Sequence, residues 1–150
     1  MMTAEHILKE KDRPMITIES GATVMDAVQI MKKNNVGSIV IKDGNTIVGL
    51  YTERELLFNV TDPAFDIHKA CLREYMVEDL NCAPHDASIH QLQDNLLGKC
   101  LRYVLIQKEG KTIGLISAGD VTRADLVEHE KTLHSVSWAY YEDWKWSKKK

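Results

Sequence analysis

A hydroxyl followed three residues later by a carboxylate occurs twice in the chain, as Thr52 with Glu55 and as Ser117 with Asp120. A carboxylate can accept hydrogen bonds from both hydroxyls of a ribose, and such charge-assisted bonds are strong. A hydroxyl at a helix N-terminus lies beside unpaired N–H groups and the positive end of the helix dipole, which favour a phosphate. The pattern therefore indicates a nucleotide site, in which Asp120 is the first candidate to bind the ribose.

Helix capping is the alternative interpretation of both pairs. In a capping box the hydroxyl of the cap residue accepts from the backbone N–H of the third helical residue. The carboxylate of that third residue accepts in return from the backbone N–H of the cap residue. Thr52 with Glu55 fits this box best. We therefore expect the better-formed ligand site at Ser117 and Asp120.

The two pairs lie in a repeat that runs along most of the chain at a constant offset. Gly49 aligns with Gly114, Thr23 with Ser88, and the apolar positions of the second copy follow those of the first. A repeat of this kind suggests units that bury their apolar faces against each other.

Each copy reads as strand, helix, strand, turn, strand and helix. Apolar residues at helical spacing predict helices, and short β-rich apolar runs predict strands. In copy one we predict strands at 15–18, 38–41 and 46–51 and helices at 24–34 and 53–59. A lead-in helix at 5–11, a linker helix at 67–76 and a last helix at 119–134 complete the pattern. We predict an α/β (α+β) fold of two β-α-β-β-α units packed sheet to sheet around an approximate two-fold axis.

Composition excludes several classes of function. The net charge of the 150-residue chain is −3, whereas dedicated nucleic-acid binders usually carry a basic excess. No apolar stretch approaches the roughly 18 residues that a membrane span needs. The three cysteines, an odd number, fit reduced thiols in a cytoplasm better than a disulfide framework. We therefore expect a cytoplasmic protein that binds neither nucleic acid nor membrane.

Five segments carry a family resemblance, because their residue types and their order in the two copies are similar to those of one known family. They are 23–28, 35–41, 52–56, 101–106 and 116–121. With them the chain resembles the CBS-domain pair, or Bateman module, over roughly residues 6–128. The resemblance implies a first repeat at 6–60, a linker with a helix at 61–79, a second repeat at 80–128, and a C-terminal helix with an aromatic and basic arm at 129–150.

The resemblance also implies a function. Such modules are regulatory and bind AMP, ADP or ATP, or else NAD(H) or S-adenosylmethionine, in clefts between the copies, and they usually form homodimers. We expect a stand-alone sensor that is not an enzyme, needs no catalytic cofactor and acts on an unknown protein target. The implied cleft residues are Ile16, Thr17, Ile18, Val36, Gly37, Thr52, Arg54 and Glu55 for repeat 1, and Asn81, Cys82, Ala83, Leu101, Arg102, Ser117 and Asp120 for repeat 2.

Arg54 and Arg102 could add charge for a phosphate, since guanidinium presents a planar fork of donors. Solvated surface arginines are the alternative. A scaffold with degenerate clefts is another reading of the whole chain, in which the aromatic-rich segment 138–146 carries the function.

An enzyme acting on nucleotide phosphate is the second rival function. It would need a general base, for which His85 and His90 are the candidates. Two histidine patterns fit metal spacing poorly, so we expect no metal site. They are His129 with His134, and Cys82 with His85 and Cys100.

Overall fold

The computed structural model describes residues 1–11 and 13–147, with side chains described as far as His134. These residues form a mixed α+β fold with two three-stranded sheets, as predicted. The elements are α1 (Ala4–Lys11), β1 (Thr17–Glu19), α2 (Val24–Asn34), β2 (Ser38–Asp43), β3 (Thr46–Thr52), α3 (Glu53–Asn59), α4 (Leu72–Tyr75), β4 (Cys82–Pro84), α5 (Ile89–Gly98), β5 (Tyr103–Lys108), β6 (Lys111–Ser117) and α6 (Ala118–Ser147).

The chain divides into two compact units. The first-copy unit is Pro14–Asn81, and the second-copy unit is Met1–Arg13 together with the chain from Cys82 onward. Helix α1, which the predicted bounds place in repeat 1, packs in the second-copy unit, because Ala4 and Ile7 are buried in the hydrophobic core of that unit.

The two sheets have the same topology. In the first-copy unit β1 is parallel to β2 and β2 is antiparallel to β3, with Ser38 opposite Thr52. In the second-copy unit β4, β5 and β6 repeat this order, with Tyr103 opposite Ser117. Each β2 or β5 strand also shifts register at the corresponding point, after Ile41 and after Ile106. The repeat seen in the sequence is thus a repeat of structure.

A short helix from another part of the sequence docks on each sheet. The N–H of Ala4 in α1 donates to the carbonyl of Ala87 at 2.8 Å, and that of Leu72 in α4 donates to the carbonyl of Ala22 at 2.9 Å. Leu8 covers Gly114, where an added Cβ would lie 2.6 Å from Leu8 Cδ2. The side chain of Met76, which follows α4, lies over Gly49 in the same way. The last strand of each copy therefore carries a glycine where a side chain from outside the sheet approaches it closely.

The linker contains less helix than the sequence predicts. Of residues 67–76 only α4, Leu72–Tyr75, is helical. The side chain of Asp66 accepts from the N–H of His68 at 3.0 Å, and its carbonyl accepts from Lys69 and Ala70. Local bonds of this kind favour turns over helix, so residues 66–70 form turns before α4 begins.

The last helix is longer than predicted. α6 begins at Ala118 and continues to Ser147 instead of ending near His134. The aromatic side chains of 138–146 and the run at 148–150 lie outside the residues whose side chains are described. No helix in the described part of the chain combines the length and the apolarity that crossing a membrane requires.

Candidate functional site

The strand ends bring the predicted second-repeat residues to one edge of the sheet. Because β4 and β5 are parallel and β6 is antiparallel to β5, this edge holds the beginnings of β4 and β5 and the end of β6. Cys82, Arg102 and Ser117 all lie there, and the N–H of Ala118 donates to the carbonyl of Arg102 at 2.8 Å. The α6 N-terminus is thus tied to the segment before β5.

Ser117 and Asp120 form a closed set of hydrogen bonds at the start of α6. Asp120 Oδ2 accepts from the Ser117 N–H at 2.9 Å and from the Ser117 hydroxyl at 2.8 Å. The Asp120 N–H donates in return to Ser117 Oγ at 3.1 Å. The capping interpretation of this pair is therefore correct as far as its hydrogen bonds go. Capping uses Oδ2, and within the described residues no hydrogen bond to Oδ1 is recorded, which leaves one carboxylate oxygen for a ligand.

Lys11 at the end of α1 joins this group, although the sequence analysis did not identify it. Lys11 Nζ lies 2.8 Å from Asp120 Oδ2 and donates to the carbonyl of Leu115 at 3.2 Å. The side chains are 27% exposed for Lys11 and 13% exposed for Asp120. The pair is therefore partly shielded from water. Charge-assisted hydrogen bonds in such a shielded place are stronger than those on an open surface.

The environment of Asp120 keeps its side chain ionised. Burial alone would raise the pKa of Asp120, but the hydrogen bonds from Lys11 and Ser117 outweigh burial, and the pKa lies below its usual value. At neutral pH the carboxylate is therefore a charged acceptor, which is the state that a ribose diol requires.

The first-copy unit has a related arrangement at its own strand-end edge. The Glu53 N–H donates to the carbonyl of Gly37 at 3.0 Å, which is the counterpart of the bond from Ala118. Thr52 donates to Glu55 Oε2 from its N–H at 3.1 Å and also from its hydroxyl, and it caps α3 by accepting from the Arg54 N–H. The described residues record no ion pair to Glu55, so the two carboxylates differ in their electrostatic surroundings.

The other predicted site residues vary in burial. The first-copy residues Ile16, Thr17, Ile18, Val36 and Gly37 are partly buried, and Arg54 is exposed. In the second copy Asn81 and Cys82 are partly buried and Leu101 and Arg102 are exposed. Ala83 is buried in the hydrophobic core, so its side chain supports the sheet.

The side-chain chemistry of Cys82 argues against a nucleophile at this edge. Burial raises the pKa of the Cys82 thiol, and Lys99 offsets this only in part. The thiolate, which is the reactive form, is therefore disfavoured at neutral pH.

The histidines weighed for phosphate chemistry do not lie at the strand-end edge. His85 directly follows the end of β4, at the opposite edge of the sheet from Ser117. His90 lies in the first turn of α5, where it is exposed and its ring contacts Gln93. No group of three or more metal-ligating side chains occurs among the residues that the structure describes.

Comparison with known families decides the identity of the repeat. The CBS domain model matches the chain twice, at residues 5–62 and 72–127. The chain belongs to the CBS-domain family. A 17.7 kDa protein of Acidianus ambivalens is 29% identical to this CBS protein over 114 residues, which are 75% of this chain and 68% of that one.

Solved CBS structures have the same fold. A CBS-domain containing protein from Agrobacterium tumefaciens superposes with a TM-score of 0.77 at 24% identity, over 83% of this chain and 99% of that chain. A CBS domain protein from Pyrobaculum aerophilum, complexed with AMP, gives a TM-score of 0.73 at 20% identity, with coverage of 85% and 97%. A CBS domain pair in complex with 5′-methylthioadenosine and S-adenosyl-L-methionine gives 0.73 at 19% identity, with coverage of 85% and 98%.

Proposed function

We propose that the protein is a regulatory module that binds an adenosine nucleotide at the strand-end edge of the second-copy unit. The observation that carries the proposal is the state of Asp120. Its Oδ2 fixes the carboxylate through Ser117 and Lys11, and its charge is retained because its pKa is lowered. The other oxygen, Oδ1, has no recorded hydrogen bond to Ser117 or Lys11, so this fixed and ionised carboxylate can accept from the hydroxyls of a ribose.

The identity of the ligand class is supported by two solved relatives of the same fold. One is complexed with AMP and the other with 5′-methylthioadenosine and S-adenosyl-L-methionine. These ligands share an adenosine and differ in the group attached to its ribose. The ribose of the shared adenosine suits the carboxylate of Asp120, and the Lys11 ammonium beside it suits an anionic group such as a phosphate.

We propose further that the protein is not an enzyme. A phosphate-transferring enzyme would need a general base near the phosphate. The histidines considered for that role lie away from Ser117, and the thiol of Cys82 is held protonated. This edge therefore has acceptors and donors that suit binding, while the histidines considered as a general base lie away from it and the one thiol considered there has a raised pKa.

Regulation requires that the nucleotide bind two arrangements of the protein with different affinity. The proposed output is a changed surface presented to a protein target or within a homodimer. Helix α3 is a candidate surface, because it buries none of its residues and leaves Leu57 and Phe58 more than half exposed. A nucleotide-dependent change in amide hydrogen exchange at α3 and α6 would support this output, and unchanged exchange would count against it.

Calorimetry with AMP, ATP, NADH and S-adenosylmethionine tests the binding proposal. We expect AMP to bind, and Asp120→Ala to weaken that binding by about 1.5–3 kcal/mol, since the variant removes a charged acceptor. Glu55→Ala should have a smaller effect, because the first-copy site is the less well formed. Asp94→Asn, at an exposed position of α5, is the control. If none of the four binds at millimolar concentration, the scaffold function is favoured instead.

A further inference from the structure

Lys11 is held in place with one hydrogen-bond donor unused. A lysine ammonium has three donors, and two of them go to Asp120 Oδ2 at 2.8 Å and to the carbonyl of Leu115 at 3.2 Å. No third acceptor is recorded among the described residues. The ammonium is thus oriented before any ligand arrives, and a ligand would not have to pay for ordering it.

The other donors around Asp120 are already committed. The single hydroxyl proton of Ser117 goes to Asp120 Oδ2, and the Asp120 N–H goes to Ser117 Oγ. The Ser117 N–H also goes to Asp120. The remaining proton of Lys11 is therefore the charged donor that this group can offer to an incoming anion.

We propose that Lys11 is a ligand-binding residue that makes the second-copy site select adenosine ligands with an anionic 5′-group over those with a cationic one. The inference rests on the proposed function, because it concerns the same site. Asp120 accepts a ribose hydroxyl through Oδ1, while Lys11 donates to the phosphate. The Lys11 charge also offsets that of Asp120, which would otherwise repel the phosphate.

The length of the docked helix restricts this selection to one copy. Helix α4 ends at Tyr75, and Val77 forms an isolated antiparallel β-bridge with Leu50. Helix α1 continues for a further turn beyond the corresponding position, to Lys11. Only in the second-copy unit does a docked helix bring a cation to the carboxylate, within the part of the chain that the structure describes. We therefore expect the two sites to differ in ligand preference.

The test measures binding of AMP, 5′-methylthioadenosine and S-adenosylmethionine to the full chain and to three variants. Lys11→Met removes the charge and keeps much of the apolar stem, and Lys11→Arg keeps the charge. Lys9→Gln is the matched control, because Lys9 lies on the same helix and is 71% exposed. Circular dichroism and the melting temperature check that each variant is folded.

We expect Lys11→Met to weaken AMP binding by roughly tenfold or more, the usual effect of losing a charged hydrogen bond. It should leave 5′-methylthioadenosine little changed and tighten S-adenosylmethionine, so that the preference between AMP and S-adenosylmethionine reverses. Lys11→Arg should retain most of the preference.

Three results would overturn the inference while AMP still binds the unaltered protein. Equal losses for AMP and 5′-methylthioadenosine would assign Lys11 a positioning role through Asp120. Tighter AMP binding by Lys11→Met would show that Lys11 competes with the ligand. Unchanged preference in a folded variant would remove Lys11 from the site. Failure of the unaltered protein to bind any of the three compounds would instead contradict the proposed function.

Discussion

Lys108 Nζ donates hydrogen bonds to the two carboxylate oxygens of Glu5, at 3.1 and 3.0 Å. Lys108 occupies the position in the second-copy unit that Asp43 occupies in the first-copy unit. Arg73 of α4 contacts both oxygens of Asp43 at 2.8 Å. Each docked helix is therefore joined to its sheet by an ion pair at the same place, with the charges exchanged. If α1 docked on the first-copy sheet, Glu5 would meet Asp43, and like charges repel. The exchanged signs therefore favour docking of each helix on its own sheet.

Reversing one charge tests this assignment. We expect Lys108→Glu to lower the melting temperature, because it faces Glu5 with a second carboxylate, and we expect Glu5→Lys in the same chain to restore it. The double-mutant cycle isolates the coupling between the two positions. Lys111→Glu, at an exposed position of β6, is the control. Additive effects of the two changes would contradict the role given to the pair.

A side chain added at Gly114 is expected to displace the end of the Leu8 side chain. An added Cβ would lie 2.6 and 2.8 Å from the two methyl carbons of Leu8. We expect Gly114→Ala to destabilise the protein by about 1–3 kcal/mol, the usual cost of overpacking, and Gly114→Val to do more. Leu8→Ala should relieve part of the loss, which urea unfolding would measure.

Gly98→Ala is the matched control for Gly114. An added Cβ at Gly98 would have no heavy atom within 4 Å, and alanine is the better helix former. We expect stability to be equal or slightly higher. A Gly114→Ala variant as stable as Gly98→Ala would contradict the close approach of α1 to β6.

The local structure was largely predictable from the sequence. The helix at 24–34 and the Thr23 cap follow from apolar spacing and capping chemistry, and both are observed. The resemblance implied that Arg102 and Ser117 line one cleft. The Ala118 N–H donates to the carbonyl of Arg102, which places the segment before β5 beside the start of α6, and the cleft itself stays a prediction. These features depend on residues close in sequence or on the order of strands, which patterns record directly.

The docking of α1 could not be read from the sequence in the same way. Helix α1 directly precedes the first copy, yet it packs on the second. An apolar face shows that a helix is covered and does not show by what. The position of Lys11 beside Asp120 depends on this distant docking. In the structure Leu8 and Met76 lie over the equivalent glycines Gly114 and Gly49. This equivalence could have been found from the sequence only by aligning α1 with α4.

Ile7 is expected to stabilise the second-copy unit despite its place at the start of the chain. It is 3% exposed and lies in the core cluster with Leu92 and Ile116. We expect Ile7→Ala to cost about 2–5 kcal/mol, the range for truncating a buried aliphatic side chain. Leu126→Ala is the control, because Leu126 is largely exposed.

Hydrogen exchange would locate the effect of Ile7→Ala. Protection should fall in β4, β5 and β6, while β1, β2 and β3 should keep their protection if α1 belongs to the second-copy unit. Loss confined to the first-copy strands would contradict the docking of α1 on the second-copy sheet.

Asp120 is expected to make stability depend on pH in acid. Its pKa in the folded protein is lowered from 3.8, since the bonds from Lys11 and Ser117 outweigh burial. A carboxyl with a depressed folded pKa contributes stability above its unfolded pKa, and this stability is lost as the pH falls through the folded value. We therefore expect the free energy of unfolding to decrease below about pH 4.

Urea unfolding at pH 7 and pH 3 compares the unaltered protein with Asp120→Asn. The variant should lose more stability at pH 7 than at pH 3, because at low pH the carboxyl of the unaltered protein is also becoming neutral. Other depressed carboxyls, such as Asp43, remain in both proteins and cancel in the comparison. Asp94→Asn should show the pH dependence of the unaltered protein. An equal loss at the two pH values would mean that the Asp120 charge does not contribute to folding, and that its bonds to Lys11 and Ser117 are offset by the cost of burying it.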